Sequence, residues 1–411
     1  MEVTTKDDLT AWLDDLAERL TLIAPTAVEE QIFYRPVATS SEIVFDFGKA
    51  DLPVKEYFLP ATHVLLSIER GEDGVRLEEP ALDGQRVAFG LRPCDARALR
   101  VMDALFLDTE PADPYFAERR EKTTLVGLAC REMGDECFCT SLGLAPDDAS
   151  DVDLMLTEIG EGGEGRKGGE RGGRYAVQVV TEKGAEILGN LSLVEVEGAC
   201  PEPVEGACPE PVEGACPEPV EGACPEPVEG AVPMPAARDK TPILEAEAWP
   251  EQFDQAYWAR VADRCLSCRV CTYVCPTCRC FDVRDYGTLD GASPERGQFS
   301  ADGASPERLN CVELVEGGVE RLRAWDSCMS EGYRRIAGGH NPRPTKAERL
   351  RNRFYCKFCY YPRDFGPVAC VGCGRCISNC PVNVDIVEVL EGVAALSAGR
   401  TVSAGHTVST E

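Results

Sequence analysis

Cys265-Leu-Ser-Cys268-Arg-Val-Cys271-Thr-Tyr-Val-Cys275-Pro276 and, further on, Cys370-Val-Gly-Cys373-Gly-Arg-Cys376-Ile-Ser-Asn-Cys380-Pro381 share one spacing. Each reads C-x2-C-x2-C-x3-C-P, the bacterial run that holds a [4Fe–4S] cubane. Three thiolates two residues apart lie on one tight loop and wrap three corners of a cube. The fourth, followed by proline, points away and ligates the other cluster of the pair. One cluster is therefore assigned to Cys265, Cys268, Cys271 and Cys380, and a second to Cys370, Cys373, Cys376 and Cys275. Structural zinc is the plainer reading of a lone C-x2-C. Zinc sites, however, close with two separated pairs, whereas both runs here are complete and end in Cys-Pro. Disulfides are the remaining alternative, which a reducing compartment disfavours.

The chain has 411 residues, enough for about two or three domains with ample core. No stretch approaches the ~18 apolar residues of a membrane span, and the opening Met1-Glu2-Val3-Thr4-Thr5-Lys6 lacks the basic and apolar regions of a signal peptide. A soluble, cytoplasmic protein is expected. The formal charge of −29 argues against nucleic acid or an anionic membrane as partner. Only three histidines are present, His63, His340 and His406, widely spaced, against 22 cysteines. Cysteine carries the chemistry.

Along the N-terminal part, Leu9, Trp12, Leu13, Leu16 and Leu20 predict one face of a helix over 6–20. Short strands are expected at Gln31–Tyr34, Ile43–Phe47 and Val64–Glu69. Two clearer strands, Gln85–Leu91 and Thr123–Ala129, flank a helix with Asp95 as its expected N-cap, a βαβ pattern within a small α/β domain. Cys94 falls where the first of these strands turns into the helix, where the helix dipole is expected to favour the thiolate. Cys130, Cys137 and Cys139 follow the next strand. The C-terminal ends of parallel neighbours lie together, so Cys94, Cys130, Cys137 and Cys139 are the candidate ligands of a third cluster. The C-x6-C-x-C spacing is not diagnostic, and ordinary buried or free thiols are the alternative.

Val152–Ile159 and Arg174–Val180 read as a hairpin with a glycine-rich tip. Gly163-x-Gly165-x-x-Gly168 matches the dinucleotide fingerprint in letters only, because it opens no helix. Gly-Ala-Cys-Pro-Glu-Pro-Val-Glu then repeats four times from Gly198 to Glu229. Its proline and glutamate favour an extended, self-repelling chain, so residues 198–248 are expected to be a flexible linker. A helix over about 250–264 leads into Cys265, and a second insertion fills about 286–320, with Cys311 inside it. A basic stretch from Arg343 to Arg353 is expected to be a solvated face, with balancing of cluster charge or docking of an acidic partner as the alternatives. Cys356 and Cys359 form a zinc-like pair without an obvious second pair. A helix at Val384–Leu396 precedes a polar tail, 398–411, expected to be disordered. The fold class predicted is α+β: an N-terminal α/β domain over 1–197, the linker, and a bacterial-ferredoxin-like dicluster domain over 249–397 with a helical insertion.

Gly90-Leu-Arg-Pro-Cys94-Asp-Ala-Arg-Ala, Cys137-Phe-Cys139-Thr-Ser-Leu-Gly, Cys275-Pro-Thr-Cys278-Arg-Cys280-Phe-Asp, Trp325-Asp-Ser-Cys328 and Cys370-Val-Gly-Cys-Gly-Arg-Cys together resemble one family. It is the iron–sulfur component shared by anaerobic sulfite reductases and by sulfhydrogenases, where it is the beta chain. The resemblance covers about 5–159, 174–195 and 249–397. It implies an electron conduit between a flavin-and-[2Fe–2S] subunit that handles NAD(P)H or ferredoxin and a catalytic subunit carrying siroheme or nickel–iron. Cys278, Cys280 and Cys328 are shared with that pattern, and supporting or packing roles beside a cluster are expected for them. No nucleophile-and-base set or phosphate loop is present. The competing readings are a stand-alone iron–sulfur oxidoreductase that binds substrate or flavin in its N-terminal domain, and a zinc-stabilised interaction module.

Overall fold

A computed structural model describes residues 2–71, 74–82, 84–159, 173–189, 191–195, 240–287 and 318–400. The octapeptide array, the glycine-rich fingerprint, the second insertion up to residue 317 and the tail beyond 400 lie outside the described residues, and with them the expectations made for them. The protein is α+β. Strand β1 (Glu2–Thr5) leads into helix α1 (Lys6–Arg19), capped by the Thr5 hydroxyl, which accepts the Asp8 N–H at 3.1 Å. Leu9, Trp12, Leu13 and Leu16 are buried, the face the periodicity predicts. Then come β2 (Thr21–Val28), β3 (Gln31–Val37), a hairpin of β4 (Thr62–Gly71) and β5 (Gly74–Glu78), and β6 (Arg86–Leu91). Helices α2 (Pro93–Phe106) and α3 (Pro114–Glu121) connect β6 to β7 (Thr123–Leu128), which is followed by β8 (Leu154–Ile159), β9 (Arg174–Val179), α4 (Glu182–Leu188) and β10 (Val194–Glu195).

Eight of these strands form one sheet in the order β10-β1-β9-β8-β7-β6-β2-β3. Its centre, β2, β6, β7 and β8, is parallel. Strands covered on both faces read as continuous apolar runs, and every residue of β6 is buried. The outer strands add antiparallel. Two expectations fail here. Residues 43–47 form no strand, and β2, with Pro25 inside it, was not among the strands expected. Proline lacks an N–H for the ladder and survives where one side of a strand is free. The partnership of β2 with β6 ends at Ile23, so Pro25 faces β3 alone on one side and gives its carbonyl to Val44 N–H at 2.8 Å on the other.

The C-terminal part contains α5 (Tyr257–Arg264), α6 (Val270–Tyr273), β11 (Phe281–Gly287), β12 (Val319–Trp325), α7 (Lys346–Tyr355), α8 (Tyr361–Phe365), α9 (Arg375–Ser378) and α10 (Ile386–Ser397). The helix expected from 250 to 264 is broken, a 3₁₀ turn at Pro250–Gln252 preceding α5. Trp249, Trp258, Phe354, Tyr355, Phe358 and Leu390 make an aromatic-rich core, with Trp249 stacked on Phe358 at 5.5 Å. Residues 240–248, read as the end of the linker, pack Ile243 and Leu244 against that core.

Strands β11 and β12 do not stay with that core. They join β4 and β5 in a second antiparallel sheet of order β11-β12-β4-β5, with Arg323 opposite His63. Trp325 Nε1 donates to Leu59 O at 2.9 Å, and Arg323 pairs with Asp113. The first and last thirds of the sequence are thereby stitched together around the cysteine runs.

Candidate functional site

Both cysteine runs adopt the same backbone path. The residue before the second cysteine is left-handed in each (Ser267 at φ 57°, Gly372 at 64°), and so is the residue after it (Arg269 at 70°, Gly374 at 71°). Each left-handed pair turns the loop so that a one-turn helix follows, α6 in the first run and α9 in the second, and these two helices pack together. In the second run glycine is required twice over. A side chain at Gly372 would stand 2.4 Å from the Cys139 nitrogen, and one at Gly374 would stand 2.5 Å from Glu136 O. Phe138 N–H donates to Gly372 O at 2.8 Å, so the second run lies directly on the Cys137–Cys139 loop.

A cysteine of the first run stands among those of the second. Cys275 comes from the first run, yet it lines one cavity with Cys370, Cys373 and Cys376 of the second. Burial pushes the Cys370 thiol up to about 11 and the Cys376 thiol up to about 12. Cys265, Cys268 and Cys271 are neighbours on the first loop. Cys380, expected to complete that set, follows α9, and its Sγ accepts the Val384 N–H at 3.2 Å. The Ser267 N–H points to Cys265 Sγ at 3.3 Å. Such backbone donors stabilise thiolate sulfur.

Buried cations surround the cavity. Lys357 Nζ lies 3.2 Å from Cys275 Sγ, 3.0 Å from Thr277 Oγ1 and 2.9 Å from Ala369 O. Arg353 also lines it, and burial works against its charge, but Cys271, Cys376, Cys278 and Cys275 together hold the guanidinium well above its ordinary range. Arg353 Nε and Nη2 and Arg375 Nη1 are buried with no hydrogen-bond partner among the described residues. Burying the Arg353 donors unpaired is costly, so the pocket calls for anionic acceptors that its own residues do not supply. Soft thiols beside orphaned cationic donors fit an anionic iron–sulfur cluster. They do not fit a single zinc ion, because among the described residues no three cysteine, histidine or acidic side chains converge at single-ion spacing.

The N-terminal cysteines meet the same structure. Cys94, Cys130, Cys137 and Cys139 neighbour one another at the ends of β6 and β7, and Cys94 and Cys139 share an apolar cluster with Cys373. Two expectations are corrected. Arg92, not Asp95, stands at the N-cap of α2. Asp95 is instead buried in the first turn, where it accepts from Arg375 Nη2 at 2.8 Å, with the side chains 0% and 1% exposed. Nor does the helix N-terminus favour a thiolate at Cys94. Burial, reinforced by Asp95, pushes that thiol well above its ordinary value. Arg92 crosses beneath, its Nη1 donating to Leu128 O at 3.1 Å and Ala129 O at 2.5 Å, which fixes the end of β7 from which Cys130 emerges.

The basic stretch divides. Arg349 and Arg353 turn inward and are buried, Arg353 beside the cysteines, so only part of it is the solvated face expected. Cys356 and Cys359 part company. Cys359 sits in the aromatic core, and Cys356 Sγ faces Arg279 Nη2 at 3.6 Å. They lie on a π-helical turn, Cys356–Tyr360. The next π-type bond would need an N–H from residue 362, which is proline, and the freed Lys357 carbonyl takes Ala369 N–H at 2.9 Å instead. Lys357, Lys55 and Arg375 were missed by sequence reasoning. Lys55 Nζ donates to Cys275 O at 2.8 Å and Cys278 O at 3.0 Å from the far N-terminal part, and no local signal marks it.

The 4Fe-4S dicluster domain family matches residues 264–302 and 309–384, which include both runs. The sulfhydrogenase 2 subunit beta of Pyrococcus furiosus is 30% identical over 369 residues, covering 88% of each chain. No described helix is long and apolar enough to cross a membrane.

Proposed function

From the premise that this chain belongs to the sulfhydrogenase beta-subunit family of iron–sulfur proteins, we propose that it is the electron-relaying subunit of a cytoplasmic, anaerobic oxidoreductase complex. Cys265, Cys268, Cys271 and Cys380 hold one [4Fe–4S] cluster, Cys370, Cys373, Cys376 and Cys275 a second, and Cys94, Cys130, Cys137 and Cys139 a third. A bound cubane takes up and returns one electron at a time, at a potential set by charge, hydrogen bonds to sulfur and burial. The protein supplies those three. Lys357 and Arg353 place positive charge beside the second set, which favours its more reduced state, while the Cys94 and Cys373 side chains are shielded from water. The Arg375–Asp95 pair joins the second run to α2 of the N-terminal part, which keeps the second and third sets in fixed relation.

The observation that carries this reading is a cavity lined by cysteines of two distant runs, by Lys357 and by Arg353, whose Nε and Nη2 have no hydrogen-bond partner among the described residues. The complex also contains a flavin/[2Fe–2S] subunit linked to NAD(P)H or ferredoxin and a catalytic subunit. The sulfhydrogenase relative supports nickel–iron over siroheme in the latter. The first test is iron and acid-labile sulfide on anaerobically purified chain. A Cys94→Ser/Cys137→Ser variant should lose about four irons, and a Cys370→Ser/Cys373→Ser variant a further set of about four. A colourless protein with stoichiometric zinc overturns the reading.

A further inference from the structure

Seventeen cysteines fall among the described residues. Twelve make the three sets above; of the five remaining, Cys278, Cys280 and Cys328 were expected only to pack or support, and Cys356 and Cys359 to be a zinc-like pair without a second pair. The fold treats four of them differently from the fifth. The Cys280 and Cys328 thiols neighbour one another, Cys278 and Cys356 are close enough to act on the Cys328 charge, and the Cys278 side chain also touches that of Cys275. These four arrive from three unrelated places: the C-x-C that follows Cys275, the loop after β12, and the first residue of the π turn. Each segment is fastened. Asp326 N–H donates to Cys280 O at 2.9 Å, and Ser327 Oγ bonds Thr272 Oγ1 at 2.9 Å. The Arg279 guanidinium reaches Cys356 Sγ from its place over the Tyr361 ring, 3.8 Å from the centroid. Cys359 is elsewhere, among the aromatic residues of the helical core.

We propose that Cys278, Cys280, Cys328 and Cys356 are the four ligands of a further iron–sulfur cluster, adjacent to the one held through Cys275. Four cysteine thiolates suit [4Fe–4S] and [2Fe–2S] alike. A single metal ion does not suit them, because no three such side chains among the described residues converge at single-ion spacing. Adjacency is direct: Cys278 N–H donates to Cys275 O at 3.3 Å, and Lys55 clamps the carbonyls of both. The C-x-C of Cys137–Cys139 and that of Cys278–Cys280 then both adjoin the second set, each able to continue the relay from it. Among the described cysteines, Cys359 alone is left without a cluster role.

This inference rests on the iron–sulfur reading, and one set of variants separates the two. Iron, acid-labile sulfide and Mössbauer spectra are compared for the anaerobic full chain, Cys280→Ser/Cys328→Ser, Cys359→Ser and Cys370→Ser/Cys373→Ser. The expected result is a loss of about four irons per chain in Cys280→Ser/Cys328→Ser if the cluster is a cubane, or about two if it is [2Fe–2S], with none lost in Cys359→Ser. Unchanged iron in Cys280→Ser/Cys328→Ser overturns the fourth site. Unchanged iron in Cys370→Ser/Cys373→Ser instead strikes the underlying reading. Alkylation of the unmutated chain guards against misfolded variants. Cys280 and Cys356, both only partly buried, should resist iodoacetamide until a chelator removes the iron, and labelling before iron removal refutes their ligation.

Discussion

At the scale of single residues, the two runs show why one motif tolerates different neighbours. The left-handed positions are Ser267 and Arg269 where the loop faces solvent, but Gly372 and Gly374 where the Glu136–Cys139 backbone presses on it. The buried pair Asp95–Arg375 is the residue-scale lock between the halves. Removing one partner of a buried ion pair strands the other charge, so Asp95→Asn is expected to cost about 3 kcal/mol in chemical denaturation. The double change Asp95→Leu/Arg375→Met should recover most of it, and equal losses in both variants would contradict the lock. Lys357 brings charge to the second set as well as holding Thr277 and Ala369. Lys357→Met should move the potential of the neighbouring cluster to more negative values, on the order of tens of millivolts, as read by redox titration. A shift to positive values would show that Lys357 does not stabilise the reduced state.

At the scale of elements, the β11–β12 hairpin carries the Cys278–Cys280 segment in and the Cys328 loop out, and it is anchored on β4 rather than on the helical core. Its last paired positions, Gly287 and Val319, already face each other. Replacing the intervening insertion with a short two-residue turn therefore leaves both strand ends where they are. Such a chain, also lacking 198–229, should keep its full iron complement and its thermal midpoint within a few degrees; loss of iron would show that an insertion contributes ligands. In the helical core, Trp249 stacks on Phe358 and its carbonyl accepts from Tyr355 OH at 2.6 Å. Trp249→Ala should cost roughly 3–5 kcal/mol, measured by urea unfolding, since a large ring is removed from a closed aromatic set.

At the scale of the whole molecule, stability and metal content depend on pH through the buried thiols. Burial lifts Cys370 to about 11, Cys376 to about 12 and Cys130 to about 11 in the metal-free fold, against about 8.5 in an unfolded chain. A thiol whose folded pKa is raised contributes stability that is fully present below the unfolded value and lost as pH rises toward the folded one. The iron-free protein should thus lose stability between about pH 8.5 and 11, while the loaded protein, its thiolates already ligated, should not. Thermal melts of both forms across that window check this, and parallel decline of the two would contradict it. His63 works at the other end. Burial beside Arg119 and Arg323 holds it down to about 4, so its contribution is intact above the unfolded value near 6.5 and fades as pH falls through 4.

How much of this was legible before folding follows from the range of each interaction. The eight cysteines of the two runs, the helix at Lys6–Arg19 and the β6–α2–β7 unit are written in local spacing, because ligand geometry and backbone period act over a few residues. Whether Pro25 is tolerated inside β2 depends on where a neighbouring strand ends. Asp95 looked like a cap because its partner, Arg375, lies far along the chain. The sequence by itself determined that cysteine-bound iron is the chemistry and which two loops carry it. Only the tertiary structure decided that Lys55, Lys357 and Arg353 would supply the countercharge, and that Cys278, Cys280, Cys328 and Cys356 would meet. Burial and charge pairing are summed over surfaces brought together by folding, and no short stretch of chain contains that sum.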